Sequence, residues 1–312
     1  MLPERPPNAI TIDVEDWFHI LDSGTVPAID EWAALPSYVE GNTARILDLL
    51  AAAKVKATFF WLGWIAERHK SLARRCAQEG HEIASHGYAH LLPWKVGERR
   101  FCTDITHAKA TLEDISGSEV AGFRAAGFGI TEAESWAFDA IKRAGYLYDA
   151  SVFPGHHGHG GLAKAPLSPS FIETRHGPLF EVPASVVEIL GRRVSLFGGG
   201  YLRLAPRAMI RWGVARLKAE GRPLVVYVHP RDIDPDQPRL SLPSVRRFKC
   251  YVNLHATFGK LTWLCQNYCF GTMRNLMNGY VQQLATGVIV DPNLPGSQPE
   301  RTFGQVPRQA GA

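Results

Sequence analysis

The sequence predicts an α/β fold, a parallel sheet covered by helices that is either open and doubly wound or rolled into a barrel. Three observations carry that reading. Short apolar runs alternate with longer amphipathic ones, ionisable residues recur at the C-terminal ends of the short runs, and 312 residues with 46% hydrophobic content can bury one large core.

The strand-like runs fall at Ile10–Val14, Ala57–Leu62, Glu82–Ser85, Val120–Arg124, Tyr146–Val152 and Leu224–His229. Between them lie segments of helical period at Ala44–Ala53, Ile65–Gln78, Thr106–Ile115, Glu132–Ala144 and Arg207–Glu220. Repeated βα units require parallel strands, because each helix crosses over to return the chain to the same edge. Residues 155–200 break the rhythm with Gly, His and Pro. There "FIETRHGPLFEVP" reads as a small hairpin and "LFGGGYLRL" as a flexible loop, together an insertion or lid near the site. After about residue 240 the pattern turns helical and aromatic, and the last twenty residues are too polar to pack. The expected organisation is therefore a disordered N-terminus (1–8), a catalytic domain (9–240), a helical extension packed on it (241–287) and a disordered tail (288–312).

The net charge of +4 is dispersed, with no basic block of the kind that grips nucleic acid or an anionic membrane. No apolar window of about 18 residues exists to span a bilayer. "MLPERPPNAI" lacks the positive region and apolar core of a signal peptide, and five scattered cysteines argue for free thiols, so a cytoplasmic protein is expected. Cys265 and Cys269 have no second pair nearby to complete a metal site, and His156, His157 and His159 of "GHHGHG" read as a solvated loop.

Asp13, His86, Arg124, Asp149 and His229 each stand at or just beyond the C-terminal end of a different strand-like run. That edge is where α/β folds assemble active sites. In "GHEIASHGYAH", His86 and His90 are spaced so that, on a helical turn, both imidazoles reach one cation. Two imidazoles and one carboxylate leave positions open for water and substrate, the arrangement of a catalytic metal. The carboxylate would come from "AITIDVEDWFH", which holds Asp13, Glu15 and Asp16 at the end of the first run.

In order along the chain, "TIDVED", "SHGYAH", "GFRAAGF", "YDASVF" and "YVHPRDID" resemble the motifs of the polysaccharide deacetylases of the NodB-homology, carbohydrate esterase type. The resemblance covers roughly residues 9–285, and "DVEDWFH", "GGGYLRL" and "FGTMR" are similar to the subgroup associated with exopolysaccharide gene clusters, related to peptidoglycan deacetylases and allantoinases. It implies a distorted (β/α) barrel and a metal-dependent hydrolase that removes acetyl groups from an N-acetylated sugar. Relatives commonly carry Pro where this chain has Ala126, and Trp where it has Arg231.

The resemblance also implies roles. Asp13 is the base that takes the proton of water, Arg124 orients it through a charge-assisted fork, His229 protonates the leaving nitrogen, and Asp149 steadies the site. Of the remaining acids, Asp16 is preferred as metal ligand for its short side chain at the end of the carboxylate run. Glu15 is the alternative ligand or an outer partner. Trp17 and Tyr88 are candidate sugar-stacking aromatics. The ligand set suits zinc, and also iron, cobalt or nickel. The expected partner is a carbohydrate, and the aromatic segment from Tyr251 to Tyr280 either packs on the barrel or offers a face to a second copy. A C–N hydrolase acting on a small cyclic amide, and a carbohydrate-binding relative without turnover, are the competing readings.

Overall fold

The computed structural model describes residues 8–21 and 26–287; the segments 1–7 and 288–312, expected to be disordered, lie outside the described residues. In chain order the elements are β1 (Asn8–Val14), α1 (Val39–Ala53), β2 (Thr58–Trp61), α2 (Gly63–Arg68), α3 (Lys70–Gln78), β3 (Glu82–Ser85), α4 (Pro93–Ser116), β4 (Gly122–Phe123), α5 (Trp136–Arg143) and β5 (Tyr148–Asp149). There follow β6 (Ser170–Ile172), β7 (Leu179–Glu181), β8 (Val186–Ile189), β9 (Arg192–Ser195), α6 (Gly199–Leu204), α7 (Arg207–Ala219), β10 (Val225–Val228), α8 (Ser244–Tyr251), α9 (Leu254–Asn267), β11 (Phe270–Gly271) and α10 (Met273–Ala285).

The main sheet runs β10-β1-β2-β3-β4-β5-β7-β6, parallel except for the antiparallel β6–β7 pair. It curls into a distorted barrel with helices outside. All six βα strands are buried along most of their length, as parallel strands covered on both faces must be. Val182 donates to Asp149, Ala184 to Val152 and Tyr227 to Phe197, so irregular backbone carries the curl from the β7 side round toward β10.

Two expectations need correction in the inserted region. Beside the hairpin read from "FIETRHGPLFEVP", which is β6–β7, a second hairpin, β8–β9, forms from "VVEILGRRVS", where Leu190 and Gly191 both take positive φ at the turn. And "GGGYLRL" is the short helix α6, not a loop. Its first glycine, Gly198, packs so close to the Tyr227 ring that a Cβ would sit 2.0 Å from it, and Leu202 and Arg203 on the helix are buried. Close approach, rather than flexibility, explains that glycine.

The C-terminal segment closes the other end of the barrel. β11 pairs in parallel with the start of β1, and Met273 and Leu276 of α10 pack among Ala9, Phe60, Ala84, Ala121 and Tyr148 inside the strands. Met273 N–H donates to Thr58 Oγ1 at 2.8 Å and Arg274 N–H to Glu82 Oε2 at 3.0 Å. Among the described residues no helix is long and apolar enough to cross a membrane.

Candidate active site

At the C-terminal edge of the sheet the backbone of β1 runs straight through Val14, which brings Glu15 over the barrel mouth. There it meets His86, just past β3, and His90. Their ligating atoms lie within 4.8 Å of one another, with Glu15 Oε1 at 3.2 Å from His86 Nε2 and 3.1 Å from His90 Nε2. All three side chains are buried. His86 Nδ1 lies 2.7 Å from the Arg124 carbonyl. A carbonyl only accepts, so Nδ1 carries the proton and Nε2 presents its lone pair, the orientation that outer hydrogen bonds give metal-binding imidazoles. Apart from that approach of Glu15, His90 Nε2 has no partner among the described residues. Two imidazole nitrogens and a carboxylate so placed fit one divalent cation.

The histidines do not converge on a helical turn, as their spacing implies. Residues 86–92 form a loop in which Gly87 (φ 78°) and His90 (φ 54°) are left-handed. Asp104 on α4 ties that loop down, accepting from Tyr88 N–H at 2.8 Å and Ala89 N–H at 3.0 Å. A side chain at Gly87 would meet Asp104 Oδ2 at 2.8 Å.

Asp16, the preferred ligand, is not brought to the histidines. Its carboxylate turns away and accepts from Ser37 Oγ at 2.6 Å and from the backbone N–H of Trp17, Tyr38 and Val39. Tyr38 and Val39 open α1, so Asp16 caps a helix twenty-odd residues away, satisfying donors that have no partner within the helix. Asp16→Ala is expected to lower stability by roughly 1–3 kcal/mol in urea unfolding while leaving the metal stoichiometry intact. Metal lost in that variant would restore Asp16 as ligand.

Asp13 faces the same cavity. Arg124, wholly buried, donates through Nη1 to Asp13 Oδ1 at 2.6 Å and to Thr11 Oγ1 at 2.8 Å, and through Nε to the Ala150 carbonyl. The contact to Asp13 uses one nitrogen instead of the expected fork. Arg124 lies over the Phe60 ring, 4.1 Å from its centre.

Beside Asp13, on the neighbouring strand, His229 follows β10. Its Nε2 is 3.9 Å from Asp13 Oδ2 and 3.6 Å from Glu15 Oε1, and its Nδ1 is 2.9 Å from Asp232 Oδ2. Asp232 is in turn bound by Arg203 of α6, which also donates to the carbonyls of Val252, Lys249 and Cys250. Burial works against the charged form of both members. For Asp232, Arg203 and His229 outweigh it and hold the carboxyl well below its usual range. For His229, Glu15 and Asp232 outweigh it and raise the imidazole. Burial would likewise raise the Glu15 carboxyl, but the attraction of His90 and His229 and the bonds from His86 and His90 keep it well below the ordinary value.

Besides Asp16 and Arg124, three further sequence candidates do not line the cavity. Trp17 is buried in the core, its indole N–H on the Pro36 carbonyl. Tyr88 donates to Glu67 and stacks on His107. Asp149 lies beneath Arg124 in the sheet, accepting from Ser151 Oγ at 2.5 Å, beside Glu181 of the adjacent strand. Both carboxyls of that buried pair are pushed up by burial, Glu181 further by the neighbouring charge, which favours a proton on the pair in the folded chain. The unfolded chain would release it above the ordinary value of 4.5. This contribution to stability is therefore complete below that pH and falls as pH rises toward the folded value. Glu181→Gln is expected to flatten the decline in urea midpoint between mildly acidic and alkaline pH; an unchanged slope would show that the pair does not titrate as described.

Residues that the sequence did not single out complete the site. Asp232 and Arg203 were legible only as a charged residue three after a histidine and one inside a glycine-rich stretch. His19 lies within the opening motif: Asp16 N–H donates to its Nδ1 at 3.0 Å, so the proton is on Nε2, which lines the cavity with no partner among the described residues. The cavity measures about 530 Å³ and is walled by 157–159, α6 and α8.

Residues 29–148 match the polysaccharide deacetylase family, and residues 150–278 match a domain of unknown function, DUF3473. The boundary between the matches runs through the sheet at β5, so the second region is the other half of the barrel and supplies His229, Asp232 and Arg203. Two peptidoglycan-N-acetylglucosamine deacetylases of Bacillus cereus are 40% identical over 75 residues (24% of this chain, 27% of that protein) and 35% identical over 104 residues (33% and 47%). A chitooligosaccharide deacetylase of Rhizobium leguminosarum bv. trifolii is 50% identical over 48 residues, 15% of this chain and 22% of its own. The chain thus spans less than half the length of these curated relatives. Among solved structures, a Mycobacterium smegmatis protein provisionally named a polysaccharide deacetylase superposes with a TM-score of 0.59 at 18% identity, covering 96% of this chain and 97% of that one. The allantoinase PuuE superposes with a TM-score of 0.53 at 18% identity, covering 77% and 72%. These two similarities establish the fold, and the match of residues 29–148 places that stretch of the chain as similar to the polysaccharide deacetylases.

Proposed function

We propose that this protein is a metal-dependent amidohydrolase that removes the acetyl group from an N-acetylated sugar. The observation that carries the reading is the convergence of Glu15, His86 and His90 on one point, with the Asp13–Arg124 pair and His229 close beside it. A divalent cation held by those three residues would polarise the acetyl carbonyl and acidify a water molecule. Asp13, with Oδ1 held by Arg124, keeps Oδ2 to accept the water's proton as its oxygen bonds to the carbonyl carbon. His229, protonated and fixed by Asp232, delivers a proton to the nitrogen as the C–N bond breaks, releasing acetate and a free amine. Arg203 and Arg124 act behind these two groups, each holding a carboxylate in place.

The walled cavity lies within the roughly 300–1,000 Å³ of pockets that enclose a small ligand. That favours a short or terminal saccharide over an internal unit of a long polymer. By the motif resemblance, the setting is bacterial exopolysaccharide or envelope synthesis with zinc as the metal, and the free cysteines favour the cytoplasm. Acetate release from a panel of N-acetylated mono- and oligosaccharides is expected to require metal, to stop with chelator and to return on adding zinc, iron, cobalt or nickel. A protein that is metal-loaded yet releases acetate from no member of the panel, while opening a cyclic amide such as allantoin, would overturn the assignment.

A further inference from the structure

Most charges in the cavity wall are matched: Asp13 faces Arg124, Asp232 faces Arg203, and Glu15 faces two imidazoles. Three cations have no such counter-charge of their own among the described residues, and all come from the region of unknown function. Arg231 lines the cavity with only a 3.6 Å approach to Glu15 Oε2, a carboxylate already shared by the histidines. Arg246 of α8 donates to the Leu21 carbonyl and lies 3.1 Å from His159 Nε2, with no carboxylate beside it among the described residues. The Nε–H of each guanidinium is buried with no hydrogen-bond partner among the described residues. Lys249, one turn along α8, is exposed on the same wall.

Dehydrated N–H donors without acceptors are costly, and guanidinium groups match carboxylate and phosphate oxygens in shape and charge. A neutral glycan offers only hydroxyl oxygens, which leave the charge unopposed. Phe248 and Tyr201, large and exposed beside these cations, give apolar faces for a sugar ring.

We infer that the cavity takes an N-acetylated saccharide bearing an anionic group, a uronate carboxylate or a phosphate, held by Arg231, Arg246 and Lys249. The inference rests on the deacetylase reading and narrows its substrate class.

The test compares metal-loaded protein with the Arg246→Gln/Lys249→Gln double variant on three substrates: neutral N-acetylchitotriose, N-acetylglucosamine 1-phosphate, and a tetrasaccharide alternating N-acetylglucosamine with glucuronate. For the wild-type protein, kcat/KM is expected to favour one anionic substrate over the neutral one by about tenfold or more, with a steeper loss on adding salt. The double variant should lose that preference through KM. Which anionic substrate is favoured distinguishes the phosphate from the carboxylate. Equal or better turnover of the neutral trisaccharide, with the variant altering all three alike, overturns the inference while leaving the hydrolase intact. Calorimetry with glucuronate and with glucose 1-phosphate, neither of which carries an acetyl group, separates the two readings. Binding that weakens about tenfold in the double variant supports the anion site even if no acetate is ever released, an outcome that would sink only the deacetylase assignment. Lys249→Gln alone, an exposed change, repeats the measurement should the double variant fold poorly.

Discussion

Glu15→Gln is expected to strip the metal from the protein and to abolish hydrolysis. The amide keeps the shape of the side chain but loses the charge that two imidazoles converge on at 3.1 and 3.2 Å. A cation at such a centre supplies several kcal/mol of charge stabilisation. At about 1.4 kcal/mol per tenfold, the rate should fall by at least roughly 10³-fold. Elemental analysis of purified protein, read beside Asp16→Asn, decides the ligand: the Asp16 variant should retain stoichiometric metal because that carboxylate is occupied by α1. The reverse pattern, metal kept without Glu15 and lost without Asp16, would move the site off the point where the histidines meet.

Asp13→Asn should do the opposite to metal and much the same to rate. No ligating role falls to Asp13 in the Glu15–His86–His90 group, so metal content should be unchanged. What disappears is the proton acceptor, worth roughly 10²–10⁴-fold, and the loss should appear in kcat while KM moves little. The variant also leaves the buried Arg124 guanidinium facing a neutral oxygen. Removing one partner of such a pair costs about 3–5 kcal/mol, so the unfolding midpoint should drop as well. Full activity in a folded, metal-loaded Asp13→Asn protein would exclude Asp13 as the base.

The order of strands and helices was legible because parallel βα units impose both periodicities on the chain, and the apolar runs of β1, β2, β3 and β10 match their strands closely. The run at Tyr146–Val152 exceeds its two-residue strand because Ser151 and Val152 are held by side chains as much as by a ladder. Polar residues at strand ends were legible for the same reason the barrel mouth exists. The choice between Glu15 and Asp16 was not, because it turns on whether the chain bends after Val14. The Asp16 carboxylate lies on N–H groups at the start of a helix beginning at residue 39, a contact with no local trace. His90 reached the site through a left-handed backbone instead of the helical turn its spacing implied, and Arg203 through a helix whose glycines disguised it. The packing of Trp17 in the core and of Tyr88 on His107 likewise left no trace in the local sequence.

β11 and α10 bear on how the chain reaches this state. The interior of the barrel is finished by Met273 and Leu276, and the bond from Met273 to Thr58 joins residues 215 positions apart. As the polypeptide emerges from a ribosome, β1 to β5 are complete long before the residues that plug them exist. Until then Phe60 and Tyr148 face an open end, and β1 lacks two neighbours, β10 and β11. Such long-range closure makes folding slow and leaves the nascent barrel sticky. Damage to the α10 segment should therefore surface as aggregation during synthesis well before it is seen as a catalytic defect.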